Sequence, residues 1–476
     1  MIKKKLVIIW LTMLIIVSAV TAQTTSKLSL KQCVETALQN NILVKQSGLQ
    51  SDREEIRWQQ ARANLLPNIG GNFNYGWNQG RTIDPITNGY INQQLTSSSL
   101  GFNSSVTLFS GFQLQNAIKQ TSLAYQAGKM EWEQAKNSLT LNVLLAYLLI
   151  LSNEDILEIS KNQEAVTRKQ VERLEVLVKE GAIGEYQLAD LKGQLASDQI
   201  AIINNINALQ TAKLNLCQLM NIPFNKDLEI DREEFKKPAG LYEFTAEQVY
   251  QQSLENFAQV KAADLRVKSS EKAIKVAKGN YYPTLSFGAN INSSYSSAAL
   301  QAIPGSKTET ATGDYVKINN TQYDVLQLSQ NFSYKKPGYG TQFNDNLGKS
   351  YGFSLQIPVF NNFQTRNQVK LTNINLKDAE LANANVKMVL RQNIEQAHLN
   401  MSATYERYKA LQEQVTNFEI SFRAAEIRFN SGVINSTEYL LVKNNLDRSK
   451  ANQVMAMYEY LLRTRVLDFY QVKLVW

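Results

Sequence analysis

Tyr351-Gly-Phe-Ser-Leu-Gln-Ile-Pro-Val-Phe360 alternates apolar residues with small or polar ones, the period of two that marks a strand with unlike faces. Beyond it, from Phe363 to Ser431, the chain contains neither glycine nor proline. Within that run Ile394, Ala397, Met401, Tyr405, Tyr408, Leu411, Val415, Phe418, Phe422, Ala425 and Phe429 recur at steps of three and four. The mean step is about 3.5 residues, the coiled-coil period. A helix over the whole run is roughly 100 Å long, more than any globular core requires. Gly432 interrupts it, and a second helical pattern returns from there to Trp476.

Comparison of the chain with itself extends this reading over its whole length. Leu30–Asn40 aligns with Ala246–Asn256 at an offset of 216, which also pairs Pro67 with Pro283. The offset then becomes 251, pairing Leu108-Phe-Ser-Gly-Phe112 with Val359-Phe-Asn-Asn-Phe363 and Gly181-Ala-Ile183 with Gly432-Val-Ile434. Each half therefore reads as helix, strand, loop, strand, long helix, tip and return helix. The first repeat covers 23–240, with strands at about 68–78 and 99–109 and a tip at 181–186. The second covers 241–476, with strands at about 284–295 and 350–360 and a tip at 432–437. The extra length of the second half falls between its strands, in a Ser/Asn/Thr/Gly/Tyr-rich loop from Ser296 to Lys349 with room for a hairpin.

Residues 1–22 read as a secretory leader: Lys3-Lys4-Lys5, an apolar run from Leu6 to Val17, then Val20-Thr21-Ala22 before Gln23. No later segment supplies the ~20 apolar residues of a membrane-spanning helix, so insertion into a bilayer must use strands. All four strands carry one aromatic and aliphatic face and one face of Asn, Ser, Thr and Gly. On the second strand Leu100, Phe102, Val106 and Leu108 share the apolar face. No remaining segment could cover these faces with a second sheet, which makes them lipid-facing. Four strands cannot close a membrane barrel, for which about eight is the minimum, and an open edge is not tolerated in lipid. The barrel is therefore expected to be shared between copies of the chain.

The duplicated order, the Leu30…Ala37-Leu38…Asn40-Asn41 opening, Leu66-Pro67, and Arg428-Phe-Asn-Ser-Gly432…Glu438-Tyr-Leu440 resemble the TolC-type outer membrane efflux proteins. The resemblance covers nearly all of the chain after the leader. It implies an α+β membrane protein: a homotrimer whose 12-stranded barrel, four strands per chain, is continued by an α-helical coiled-coil barrel in the periplasm of a Gram-negative bacterium. It also implies an equatorial belt near Phe224 to Phe244 and the C-terminus. A periplasmic adaptor protein and an inner-membrane pump of RND, ABC or MFS type are the implied partners, beside outer membrane lipid. The implied function is a passive conduit for efflux or type I secretion. A barrel-anchored structural coiled-coil protein is the alternative, but it needs neither polar inner strand faces nor rods of equal length.

Two sets of site residues follow. Gly181 and Gly432 stand where antiparallel helices reverse, a place for left-handed backbone. Ala182, Ile183, Gly184, Val433 and Ile434 beside them are expected to be exposed, and by resemblance the adaptor docks there. The family often carries two acidic residues three apart just past the second tip. Here Glu438 holds the first position and Leu441 the second, while Gln187 and Asp190 match them in the first half. Glu438, Asp190 and Gln187 are thus the expected periplasmic aperture, with fewer acids than in some relatives.

Other chemistries find little support. The net charge of +8 includes three leader lysines, and no basic patch is interleaved with aromatics as nucleic-acid binding requires. His398 is the single histidine, and Cys33 and Cys217 lie far apart in helical patterns, so neither a metal site nor a cofactor is expected. Gly348-Lys-Ser350 imitates the end of a phosphate-binding loop, but Phe343 stands where its first glycine belongs and a strand follows. No catalytic constellation is present in the pattern.

Overall fold

A computed structural model describes residues 27–83, 88–92, 94–232 and 240–473; the leader reading of 1–22 lies outside the described residues. The helices are α1 Leu30–Asn40, α2 Ile42–Ala63, α3 Gln113–Lys179, α4 Glu185–Met220, α5 Ala246–Asn256, α6 Ala258–Gly279, α7 Tyr339–Asp345, α8 Gln364–Asn430 and α9 Ser436–Tyr470. The strands are β1 Asn68–Asn78, β2 Arg81–Ile83, β3 Tyr90–Asn92, β4 Leu95–Ser110, β5 Thr284–Ser296, β6 Gln301–Ile318, β7 Thr321–Lys335 and β8 Gly348–Gln356. The duplication is visible to the residue. The rods α3 and α8 are both 67 residues long and start at the offset found in the sequence. The described residues divide into a helical unit, comprising those up to Ile56, Ser122–Ser269 and those from Leu376, and a sheet unit, Arg57–Thr121 with Ser270–Asn375. No described helix is long and apolar enough to cross a membrane.

The expected first helix of each repeat is two helices. At Asn41 the backbone turns to an extended ψ of 123°, and the Asn41 side-chain oxygen accepts from the backbone N–H groups of Leu43 and Val44 at 3.0 and 3.3 Å, capping α2. Phe257 repeats the break with ψ 125°. It is held there by its ring, packed edge-on against Phe469 at 5.3 Å. Ser29 with Gln32, and Thr245 with Gln248, form reciprocal capping boxes ahead of α1 and α5.

In the helical unit the predicted rod positions Ile394, Ala397, Met401, Tyr408, Val415, Ala425 and Phe429 are buried. One core gathers Val34, Val143, Tyr147, Leu216 and Met220 around Cys33 and Cys217. Both thiols are free and buried. Burial first, then the neighbouring Cys217, pushes the Cys33 thiol up to about 12, so these are packing residues. The described part of the expected belt is tied to the helical unit, and its residues 233–239 lie outside the described residues. The Tyr147 hydroxyl donates to the carbonyls of Leu28 and Asp231 at 3.0 and 2.6 Å. Tyr242 donates to Asp468 at 2.9 Å, and Tyr460 to the Gly240 carbonyl at 2.7 Å.

In the sheet unit, β1, β4, β5 and β8 form one antiparallel sheet in that order. Register places Phe73 beside Leu100, Phe102 beside Ile291, Val106 beside Phe287, and Phe287 beside Phe353, making one apolar face. Asn72 beside Gly101, Asn103 beside Asn290, and Ser286 beside Ser354 lie on the other. A bulge between Thr107 and Phe109 breaks the expected alternation, and Phe109, paired with Leu285, joins the apolar face. The second strand also begins at Leu95, earlier than its expected start near 99.

The fourth strand ends at Gln356 and does not reach 360. Pro358 has no N–H for a ladder and restricts the residue before it, so Ile357 and Val359 stand exposed outside the sheet. Both rods are entered through paired left-handed residues, Gly111 and Phe112 in one half and Asn362 and Phe363 in the other. Phe109 against Phe112 and Phe360 against Phe363 make the same edge-on contact at 5.6 and 5.4 Å. A Cβ on Gly111 would come within 2.6 Å of the Gly279 carbonyl oxygen, so glycine is required there.

The expected loop from Ser296 to Lys349 is a hairpin and a short helix. β6 and β7 meet at Asn319-Asn320, whose φ angles of 50° and 68° are those of a type I′ turn. The helix α7 folds back on β5. Gln342 exchanges hydrogen bonds with the Ser296 backbone at 3.0 and 3.1 Å, and Tyr339 stacks between Tyr295 and Phe343, 4.7 Å from each.

Candidate functional site

The two tips of the helical unit hold the residues expected to act. Gly181 and Gly432 have φ of 69° and 74°. The Ala182 N–H donates to the Leu177 carbonyl at 2.9 Å and the Gly181 N–H to Val178 at 3.0 Å. Val433 to Arg428 and Gly432 to Phe429 repeat the pattern at 2.9 and 3.1 Å. This Schellman arrangement satisfies the last carbonyls of each rod and needs a left-handed residue, which glycine supplies without strain. Arg173 of α3 donates to the Asn430 backbone carbonyl at 2.6 Å and also bonds its side chain, tying the ends of the two rods.

One expectation about the tips is overturned. Val433 is 65% exposed, and Ala182 and Gly184 are exposed too, but Ile434 is only 8% exposed. The Schellman turn aims Ile434 inward onto Val171, Leu174, Leu191, Phe429 and Tyr439, so it is a core residue. Ile183 is half-buried against the same cluster. The surface left at the tips is therefore Gly181, Ala182 and Gly184 in one half and Gly432 and Val433 in the other.

Glu438 lies in the first turn of α9, where its backbone N–H donates to the Asn435 side chain at 2.8 Å. Its half-exposed carboxylate pairs with Arg428 of α8 at 3.5 Å. Asp190 accepts a hydrogen bond of 2.8 Å from the hydroxyl of Ser436, which is fully buried. Asp190 thus joins α4 to the start of α9, two residues from Glu438. Gln187, half-buried, donates to the Tyr186 hydroxyl at 3.1 Å. Leu441 is exposed where a second acid was sought.

Sequence reasoning missed the polar seam that begins at Asp190. Lys443 of α9 is buried between Asp447 and Asp198, at 2.6 and 3.3 Å, and Thr167 and Gln194 complete Asp198. The signal was present, because Tyr439, Lys443, Leu446 and Ser449 step by four and three and put a lysine on the core side of the helix. Among the described residues no group of three or more His, Cys, Asp or Glu side chains converges as a metal site would.

A sequence-family profile described as "Outer membrane efflux protein" matches residues 33–221 and 249–469, almost the whole of both repeats. The Escherichia coli (strain K12) outer membrane protein TolC is 23% identical over 441 residues, covering 91% of this chain and 80% of TolC. Among solved structures, the Campylobacter jejuni CmeC outer membrane channel superposes with a TM-score of 0.72 at 15% identity, covering 93% of this chain and 85% of CmeC. The Vibrio cholerae outer membrane protein VceC gives 0.71 at 15% identity, covering 93% and 95%.

Proposed function

The chain belongs to the outer membrane efflux protein family, and from that premise we propose that it works as a homotrimeric conduit joined to a periplasmic adaptor and an inner-membrane pump. It is an outer membrane protein of a Gram-negative bacterium and an efflux channel. The observation that carries the finer reading is the sheet. It has four strands, one apolar face, one face of Asn, Ser, Thr and Gly, and, among the described residues, no strand paired to the outer edges of β1 and β8. An open edge is untenable in lipid, and a polar inner wall suits water. Three copies make twelve strands, a number within the range of outer membrane barrels. Rods of equal length suit a tube whose tips a docking partner engages, and a simple anchor does not need them.

The proposed aperture is formed by Glu438 and Asp190, with Gln187 as a neutral neighbour. Glu438 is six residues past Gly432 and the third residue of α9, within one helical turn of the tip. Three copies of each carboxylate around one axis would favour cations and bind multivalent ones. Arg428 offsets part of the Glu438 charge, so Asp190 carries more of the effect than its distance from the tip suggests. Recordings of the purified trimer in planar bilayers test this. Glu438→Ala with Asp190→Ala is expected to lower cation preference and to remove block by trivalent cations added on the periplasmic side. Unchanged selectivity and unchanged block would place both carboxylates outside the lumen.

The β6–β7 hairpin is proposed to project outside the cell. It lies between β5 and β8, makes no pairing with the four-stranded sheet, and is exposed along nearly its whole length. A tag inserted near Gly313 is expected to be detected on intact cells. Detection only after lysis would reverse the orientation of the sheet unit.

A further inference from the structure

The helical unit buries a cation that the conduit reading leaves without a role. Lys443 is 1% exposed, the lowest solvent access of any lysine in the described core. Its ammonium donates to Asp447 Oδ2 at 2.6 Å on its own helix and to Asp198 Oδ2 at 3.3 Å on α4. Asp198 is completed from α3 by the Thr167 hydroxyl, which donates to Oδ2, and by Gln194 Nε2, which donates to Oδ1 at 2.7 Å. The same two helices are joined in the same register by Ser436 to Asp190 at 2.8 Å and by Asn444 Nδ2 to Gln194 Oε1 at 3.2 Å. Asp190, Gln194 and Asp198 are one helical turn apart, so the seam is continuous.

Two carboxylates share one ammonium, which leaves an excess negative charge in a place that water reaches poorly. The other charged groups facing it come from α8 and α9. Glu419, Arg423 and Glu426 of α8 line a groove of about 410 Å³ together with Lys443, Asp447 and Lys450. Lys450 is itself paired with Glu419 at 2.8 Å. The Tyr439 hydroxyl is buried nearby, has no hydrogen-bond partner among the described residues, and feels both Glu426 and Asp447. Burial first, and the charge of Asp198, push the Asp447 carboxyl above its ordinary value, against the pull of Lys443 and Lys450.

We propose that Lys443 is a proton-responsive clamp between α4 and α9, divided between Asp447 and Asp198 when both are ionised and committed to Asp198 when Asp447 takes a proton from solvent. The ammonium keeps its charge throughout; only its hydrogen bonds move. Acid therefore tightens the cross-helix contact. The sign agrees with linkage: a carboxyl whose value is raised by folding adds stability that is full below the ordinary carboxylate range and is lost as pH rises through the raised value. The proposal rests on the channel reading only for its consequence, a narrower and stiffer entrance wall in acid, since the clamp itself is built within one chain.

Spin labels on Lys192→Cys and Leu441→Cys, both exposed positions, report the separation of the two helices in full-length protein diluted with unlabelled chain. Between about pH 7.5 and about pH 3.5, across the whole carboxylate range, the distance distribution of the wild type is expected to narrow. Asp447→Asn should be narrow at both values and Lys443→Met broad at both. Asp198→Asn, expected to be broad at both, replaces Lys443→Met should that variant not fold. A wild type that does not change, or an Asp447→Asn protein that follows pH as the wild type does, overturns the clamp. Absence of conductance in bilayers would count against the channel reading and leave this result standing.

Discussion

Gly432→Val is expected to abolish export while the barrel and the trimer persist. A Cβ at Gly432 would meet nothing within 4 Å, so the substitution creates no clash. Its cost is conformational. The φ of 74° is a left-handed value that a β-branched residue adopts only with strain, of about 1–3 kcal/mol. That is too little to unfold a rod of 67 residues, but it acts on the turn whose hydrogen bonds run from Gly432 to Phe429 and from Val433 to Arg428. Relaxing the turn moves Val433, the most exposed apolar residue of that tip, and disturbs Arg428, the partner of Glu438. Export of a pump substrate, measured beside heat-resistant trimer on a gel, separates the two effects. Gly193→Ala is the control. Gly193 lies inside α4 with open space around its Cβ, so alanine should be neutral there or stabilise by about 0.5–1 kcal/mol. Normal export by Gly432→Val would remove the tips from the docking surface.

The parts of this molecule that were legible in the sequence are those that the duplication wrote twice. An offset of 216 relates the paired short helices and the first strands, and one of 251 relates the rods and tips, because the extra length of the second half lies between its two sheet strands, as β6, β7 and α7. The heptad pattern of α8 was legible because each core contact recurs every three or four residues. What stayed hidden depends on single local geometries. Nothing in the pair Val433-Ile434 says which residue turns inward, since both are apolar and β-branched, and the Schellman turn decides it. The bulge that brings Phe109 onto the apolar face adds one residue to an alternation that otherwise reads evenly. Asn41 and Phe257 break their helices for different reasons, a side-chain cap and an aromatic contact, so the repeat conceals a shared break behind unlike residues. The Lys443 seam was missed because a lysine on a helix is ordinarily read as solvated, and its two carboxylates are separated in sequence by more than an entire repeat.

Phe353→Arg and Ser354→Arg, adjacent in β8, are expected to have opposite outcomes for folding. Phe353 packs on Phe287 across the β5–β8 ladder with ring centroids 5.2 Å apart, in the middle of the apolar face. In lipid, arginine there costs about 2–4 kcal/mol per chain, and loss of the aromatic pair adds about 0.5–1.5 kcal/mol. Threefold assembly multiplies this, so a trimer carries roughly 6–12 kcal/mol from the charge alone, enough to prevent stable insertion. Ser354 sits opposite Ser286 on the polar face, where an arginine meets water. It should leave the trimer stable and shift ion preference toward anions. Folding yield into lipid vesicles and the fraction of trimer that resists heating measure the first effect; reversal potentials in bilayers measure the second. If both variants fold equally well, the aromatic face does not meet lipid, and the four strands form a sheet with water on both sides. If Phe353→Arg fails and Ser354→Arg folds, the two faces have the environments that a shared barrel with a water-filled interior requires.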